Sequence, residues 1–161
     1  MNRSDSTAAG APLVVRIPPP VWALILIVTS YAIARLLRLP LLLHSDAGAF
    51  ALFVAGFCLA VWGERTFVHA RTEVMPASQT NSKLITHGPF RYTRNPMYSG
   101  LLLAMLAVAL YFGTWPFYLS IIVLFVVIQA VFIPFEEAKM ERQYGAAFSE
   151  YKSSTRRWGI V

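Results

Sequence analysis

The chain has 161 residues and a net charge of +6, and 57% of its residues are hydrophobic while only 14% are charged. Soluble domains carry about a quarter charged residues, so the composition excludes an ordinary soluble domain. It predicts an all-α integral membrane protein, because helices satisfy their own backbone hydrogen bonds inside a bilayer. The basic residues flank apolar runs rather than gather on one polar face, which argues against nucleic-acid binding.

The N-terminal part predicts a disordered tail and two membrane spans. Residues 1–20 are rich in polar and small residues and end in three prolines, which is typical of a disordered terminus. Apolar runs over residues 21–43 and 47–68 follow, and roughly 20 residues suffice to cross a bilayer. Arg35 and Arg38 lie one turn apart near the end of the first run. There they either bind an anionic head group or extend to the interface.

A polar stretch separates the second apolar run from the third. It covers residues 70–95 and is the longest non-apolar segment in the middle of the chain; loops of this length are often functional. The third and fourth apolar runs, residues 96–112 and 116–135, are separated only by a short turn that begins at Gly113, and the fourth run starts with a proline. They therefore predict a tight helical hairpin.

The C-terminal tail predicts an amphipathic helix over residues 136–153. Apolar residues recur there at three- or four-residue spacing, with charged residues between them, which is typical of a helix on a membrane surface. The whole arrangement is a single domain over residues 21–161, with about four transmembrane helices. The middle loop and the tail carry most of the Lys and Arg residues, so both are placed in the cytoplasm. Arg35 and Arg38 run against this rule, because the same topology places them on the outer side.

The block from His87 to Gly100 is the first candidate for chemistry. It combines a Gly-Pro turn, a short basic and aromatic segment and a helix start. Asn95 suits an N-cap and Pro96 suits the first helical position. The free N–H groups of a helix start offer a site for a carboxylate or a phosphate. The alternative interpretation is a plain helix cap beside arginines that face the membrane.

Glu136 and Glu137 form the second candidate, at the predicted cytoplasmic end of the fourth run. Carboxylates at a bilayer boundary are costly unless they are solvated or paired. The pair therefore marks either a solvated helix end or a pocket that binds hydroxyl groups or a cation. A tight hairpin returns it to the start of the third run, so Asn95 and Glu136 are predicted to share one pocket. The lone Cys58 and the three histidines form neither a metal cluster nor a triad.

These blocks resemble the isoprenylcysteine carboxyl methyltransferase family, in its bacterial form, and are similar to the related phospholipid N-methyltransferases. The family's Gly-x-(Tyr/Phe)-Arg-x-x-Arg-(His/Asn)-Pro-x-Tyr-x-Gly block is matched from Gly88 to Gly100, and its Glu-Glu pair by Glu136 and Glu137. Its aromatic tail is matched from Tyr144 to Tyr151. The resemblance covers about half of the chain. It implies an S-adenosyl-L-methionine pocket on the cytoplasmic side of a bacterial inner membrane and a lipophilic substrate that enters from the bilayer.

The resemblance also implies roles for individual residues. Catalytic roles fall to Glu136, Tyr98 and Asn95. The residues expected to contact the cofactor are Lys83, Leu84, Ile85, His87, Phe90, Asn95, Pro96, Met97, Tyr98 and Glu136. Those expected to contact the substrate are Arg35, Arg38, Arg91 and Glu137.

The sequence departs from the prenylcysteine enzymes at two positions. Asn95 replaces a histidine, and Phe132 stands where those enzymes carry a substrate-binding arginine, which removes a partner for a substrate carboxylate. The resemblance thus leaves a carboxylate, a thiol or an amine as the methyl acceptor, and phosphatidylethanolamine as an alternative substrate. A non-catalytic membrane scaffold is the alternative from another class. The presence of both Glu136 and the Asn-Pro-Met-Tyr segment favours the enzyme.

Overall fold

The computed structural model describes residues 13–69 and 84–159, and this part of the chain forms helices and connecting turns without any β-strand. In chain order the helices are α1 (Leu13–Arg16), α2 (Pro19–Leu36), α3 (Asp46–His69), a 3₁₀ turn (Gly88–Arg91), α4 (Pro96–Phe112), α5 (Trp115–Val127), a π-helical segment (Ile128–Phe132), α6 (Ile133–Tyr144) and α7 (Ala146–Ser154).

Among the residues that the structure describes, three helices are long and apolar enough to cross a membrane. They are α2, α3 and the continuous helix from Trp115 to Tyr144 that contains α5 and α6. Helix α4 is apolar but has 17 residues, so at 1.5 Å per residue it is about 26 Å long, against a bilayer core of about 30 Å. Residues 13–69 and 84–159 are therefore all-helical, as in an integral membrane protein, and contain three such spans, where the sequence predicts about four.

The first span is shorter than predicted. The sequence places it at residues 21–43, whereas α2 covers Pro19–Leu36. Prolines fit its first turn because the N–H groups there have no partner in the helix. The helix ends because Arg38 adopts a positive φ of 49°, which cannot continue a right-handed helix. The predicted disordered tail, residues 1–20, lies largely outside the described residues; its described part contains α1 and the start of α2.

The C-terminal pattern also folds differently from its prediction. Residues 136–144 continue the last long helix, and the amphipathic segment breaks at Gly145, which has a φ of 51°. Glycine adopts this conformation without a steric penalty, so α7 leaves in a new direction. Earlier in the same helix, Pro134 has no N–H group that could donate a hydrogen bond to the carbonyl of Ala130. The π-helical segment lies just before this proline.

Two glycines bring α3 and α4 into close contact. A Cβ atom on Gly56 would lie 2.6 Å from the carbonyl oxygen of Gly100, and the reverse substitution gives the same distance. Small residues of this kind let membrane helices approach closely. Many large apolar side chains on the outer faces are exposed, for example Leu24, Phe50 and Ile122, as expected for surfaces that face lipid.

Candidate active site

A cavity of about 550 Å³ lies at the end of the bundle where α2 and α4 begin and α6 passes. This volume falls within the range of about 300–1,000 Å³ found for small-molecule pockets. The cavity is mostly apolar, and a few polar side chains, among them Asn95, Tyr98 and Glu136, line it. Its apolar wall extends along α3 to Phe53 and Phe57, two side chains that are themselves exposed on the outer surface.

The structure brings Tyr98 and Glu136 into direct contact. The Tyr98 hydroxyl donates a hydrogen bond to Oε1 of Glu136. The hairpin of α4 and α5 makes this possible, because it returns α6 to the start of α4. The Tyr98 ring also packs edge-on against Phe132, with 6.4 Å between ring centroids. Both predicted blocks therefore line one cavity.

Asn95 holds the predicted N-cap position, but its side chain does not cap α4. Its Nδ2 donates instead to the carbonyl oxygen of Arg157 at 3.1 Å, and its backbone N–H donates to Thr93 Oγ1 at 3.1 Å. No side chain therefore competes for the N–H groups in the first turn of α4. These groups carry the positive end of the helix dipole, and they lie at the cavity.

Glu137 is the centre of a buried ion-pair network. Its side chain accepts hydrogen bonds from Arg157 at 2.9 and 2.7 Å and from Arg94 at 2.9 Å. Both carboxylate oxygens are thus engaged, although the resemblance implies that Glu137 contacts the substrate. The hydrogen bond to Glu137 raises the pKa of Arg157, so the guanidinium stays charged. We interpret Glu137 as a residue that positions the walls of the cavity.

The segment from Thr155 to Gly159, here called the C-terminal strap, binds the residues that precede α4. The backbone N–H of Arg94 donates to the carbonyl of Arg156 at 2.9 Å, and Thr93 Oγ1 donates to the carbonyl of Arg157 at 2.6 Å. Further along, Trp158 Nε1 donates to Gln129 Oε1 in the π-helical segment at 2.8 Å. The strap therefore ties the start of α4 to the last long helix.

Helix α7 forms another wall of the cavity. The Tyr151 hydroxyl donates to the carbonyl oxygen of Phe90 at 2.6 Å, and burial raises the pKa of Tyr151, so the hydroxyl keeps its proton. Phe90 packs edge-on against Phe67 of α3, with 5.1 Å between ring centroids. These contacts fix the 3₁₀ turn between α3 and α7.

Most of the predicted cofactor contacts lie together. Those that line the cavity are Leu84, Ile85, Phe90, Asn95, Pro96, Met97, Tyr98 and Glu136. His87 and Arg91 are exposed and do not line it, and Lys83 lies outside the described residues.

The structure does not bring Arg35 and Arg38 to this cavity. Helix α2 starts at the cavity with Pro19, and Arg35 lies sixteen residues further, about 24 Å away at 1.5 Å per residue. The two arginines line a separate cavity at the other end of the bundle. The two arginines therefore do not lie where they could contact a lipid head group that is bound beside Glu136.

Sequence reasoning missed several residues at the site. Glu64, Lys139 and the prolines 18–20 line the cavity, and the strap has no motif that marks it. In the sequence, Arg94 is a basic residue of the first block and the second arginine of the family motif. Its pairing with Glu137 depends on the path of the strap, which no local pattern specifies.

The cavity suits the chemical groups of S-adenosyl-L-methionine. Arg94 lines it, and the Nε atom of this arginine is buried without a hydrogen-bond partner. Together with the uncapped helix start, this donor fits an amino-acid carboxylate. Glu136 offers acceptor atoms that fit ribose hydroxyls or an ammonium group. The apolar wall fits a base and a lipid chain.

Comparison with known proteins identifies a family for this chain. The family model described as phospholipid methyltransferase matches residues 45–147, a segment that contains α3 to α6 and the start of α7. No curated protein and no solved structure matches the chain significantly. The match extends over more than half of the chain and supports the resemblance to methyltransferases. It does not identify the prenylcysteine enzymes in particular. The chain belongs to the phospholipid methyltransferase family and is an integral membrane methyltransferase of that family.

Proposed function

We propose that this protein transfers a methyl group from S-adenosyl-L-methionine to the head group of a membrane lipid. One observation carries the proposal: Glu136 and the uncapped start of α4 line a single cavity, joined by the Tyr98 hydrogen bond. A donor site on one side and an apolar wall on the other suit a reaction between a polar cofactor and a lipid.

The cofactor would be held by residues at the start of α4 and on α6. The N–H groups of Met97 and Tyr98, with the guanidinium of Arg94, would bind its carboxylate. Glu136 would accept hydrogen bonds from its ribose hydroxyls or its amine. The cofactor supplies a methyl group already activated by a sulfonium, so the protein mainly contributes position and electrostatics. An aromatic face such as that of Tyr98 or Phe90 stabilises a nearby cation by about 0.5–2 kcal/mol.

An amine is the acceptor that the cavity favours. Three carboxylates, Glu64, Glu136 and Glu137, line it. Glu137 is paired with Arg94 and Arg157, whereas Glu64 and Glu136 would attract a cationic head group. Phe132 is buried and apolar where prenylcysteine enzymes bind a carboxylate. The amine must lose a proton before it attacks the methyl carbon, and Glu64 is the carboxylate beside the cavity that would accept it. Phosphatidylethanolamine has the required amine and belongs to the class that the family description names.

We propose that the cavity lies on the cytoplasmic side, and the charge distribution supports this. Basic residues gather at its end of the bundle, which favours the inside under the positive-inside rule. They include Arg16, Arg65, Arg91, Arg94, Arg142, Lys152, Arg156 and Arg157. We propose that α4 crosses as a fourth span, so that both ends of the chain lie in the cytoplasm of a bacterial cell and residues 21–161 form one domain.

A methyl-transfer assay tests the proposal. The full-length protein in phosphatidylethanolamine vesicles, supplied with methyl-labelled S-adenosyl-L-methionine, should place label on the lipid amine. Glu136→Gln should lower kcat/KM by at least about 10-fold, since one charge-assisted hydrogen bond contributes about 1.5–3 kcal/mol. Glu150→Gln is the matched control, because Glu150 is exposed on α7 and does not line the cavity.

Other outcomes separate the alternatives. When a total membrane lipid extract replaces the pure vesicles, label in a base-labile ester or in a thioether would identify a carboxylate or a thiol acceptor and would refute the amine. No label in any lipid pool, together with no binding of the cofactor, would favour a non-catalytic scaffold that keeps only the fold.

A further inference from the structure

A second cavity, of about 800 Å³, lies at the end of the bundle opposite to the candidate active site. Its lining comes from the end of α2, the end of α4 and the start of α5. The lining residues are Tyr31, Ala34, Arg35, Arg38, Leu39, Phe112, Thr114 and Phe117. The proposed methyl transfer leaves this cavity and its arginines unused.

Arg35 and Arg38 are the basic side chains of this cavity, and neither has an acidic partner. No ion pair or side-chain hydrogen bond joins either guanidinium to any residue within 13–69 or 84–159. The carboxylate of Asp46, at the start of α3, lies 3.4 Å from Nε2 of His44. Both side chains are exposed, so these two cations at the end of an apolar helix are accessible to an anion from outside the protein.

The backbone conformation of Arg38 also indicates a binding role for this residue. In the described part of the chain, Arg38 is the one non-glycine residue with a positive φ. Glycine or asparagine usually holds this position after a helix, so the arginine occupies it at a conformational cost. A residue held in a disfavoured conformation often serves a function that offsets the strain.

Thr114 adds an unpaired polar group to the same cavity. It precedes the first turn of α5 and its side chain does not cap that helix. The residue is 7% exposed, and its Oγ1 has no hydrogen-bond partner. A hydroxyl and a helix start beside two guanidinium groups form a donor set that suits a phosphate.

The surroundings place this cavity at the boundary between lipid and water. Tyr31, Tyr111 and Trp115 are large aromatic side chains exposed at this end, and such residues concentrate at the level of lipid head groups. A phosphate at that depth is most readily supplied by a phospholipid, whose chains can lie along the exposed apolar faces of α2 and α5.

We propose that Arg35 and Arg38 bind the phosphate of an anionic phospholipid in the leaflet opposite to the active site. The occupant is a structural lipid and does not receive a methyl group, because the cavity is separated from Glu136 by most of the bilayer. This site anchors the ends of α2, α4 and α5 to one head group. It also explains why two arginines remain on the side that the positive-inside rule leaves poor in basic residues.

Native mass spectrometry of the delipidated, full-length protein tests the proposal. The wild type should bind phosphatidylglycerol more tightly than phosphatidylcholine. The double variant Arg35→Gln, Arg38→Gln should bind phosphatidylglycerol about 25-fold more weakly, at about fivefold for each arginine. The matched control is Arg65→Gln, Arg142→Gln, which removes the same charge from exposed positions at the other end and should stay within about twofold of the wild type.

Three results would overturn the assignment. The first is an equal loss of phosphatidylglycerol in both double variants, which would mean that only net charge matters. The second is a wild type without preference for phosphatidylglycerol over phosphatidylcholine. The third is displacement of the lipid by millimolar inorganic phosphate, which would make a free anion the occupant. Thermal unfolding of each variant separates a loss of lipid from a loss of fold, and the lipid readout does not depend on methyl transfer.

Discussion

Tyr98 donates a hydrogen bond to Glu136 across 38 residues of sequence. The bond joins the first turn of α4 to α6, and both side chains line the cavity where the cofactor is proposed to bind. A tyrosine that holds a carboxylate in this way sets the direction of both groups. The geometry of the proposed donor site therefore depends on this pair.

Tyr98→Phe should raise the KM for S-adenosyl-L-methionine by roughly 10-fold. The change removes the hydroxyl and leaves Glu136 without this donor, and a hydrogen bond to a charged group contributes about 1.5–3 kcal/mol. Tyr92→Phe is the control, because Tyr92 is exposed and lies outside the cavity. Initial rates in lipid vesicles measure both variants. An unchanged KM for Tyr98→Phe would remove the pair from the donor site.

Glu137→Ala should destabilise the protein strongly. It leaves Arg94 and Arg157 without their shared carboxylate, and breaking a buried ion pair costs about 3–5 kcal/mol. We expect a fall in Tm of roughly 10 °C in detergent, at about 2–4 °C for each kcal/mol. Glu141→Ala is the control, since its pair with Lys152 is exposed and contributes less than about 1 kcal/mol. Similar Tm values for the two variants would contradict a structural role for Glu137.

Arg157→Lys should loosen the C-terminal strap. Lysine keeps the charge but loses the two-point contact that Arg157 makes with Glu137. Amide hydrogen exchange at residues 92–95 should then become faster, because the strap holds these residues in place. Arg156→Lys is the neighbouring control, as its side chain is exposed and only its backbone carbonyl contacts Arg94. Equal exchange in both variants would show that the strap is held by its backbone alone.

Gly56→Ala should force α3 and α4 apart. The added Cβ meets a backbone oxygen that cannot move independently of its helix, and overpacking of this kind costs about 1–3 kcal/mol. Gly48→Ala is a softer control on the same helix, because its Cβ first meets the end of the flexible Leu110 side chain. In thermal unfolding, Gly56→Ala should have a lower Tm than Gly48→Ala. The opposite order would mean that the helix contact is not tight at Gly56.

The sequence predicts the membrane class and the shared cavity well, since both follow from strong patterns. Apolar runs mark the helices, and a short turn forces α4 and α5 into a hairpin that carries Glu136 back to Tyr98. Helix ends are predicted less well. A left-handed residue at Arg38 and the break at Gly145 depend on local backbone geometry that hydropathy does not report.

The long-range contacts of the site are the part that no sequence pattern contains. The carbonyl of Arg157 in the strap accepts a hydrogen bond from the Asn95 side chain. Asn95 is therefore bonded to the strap and does not cap the helix as predicted. The spacing of Arg35 and Arg38 does not show how far they lie from Glu136. Because α2 runs the length of the bundle, the two arginines lie at the end opposite to the cavity that contains Glu136.

Binding calorimetry tests the central claim most directly, with S-adenosyl-L-methionine titrated into the wild type, Tyr98→Phe, Glu136→Gln and the double variant. If one cavity binds the cofactor through this pair, each single change weakens binding by roughly 10-fold. The double variant then loses less binding free energy than the sum of the two single losses, because the two residues share a hydrogen bond. Equal affinity in all four proteins, or no binding to the wild type, would contradict the account.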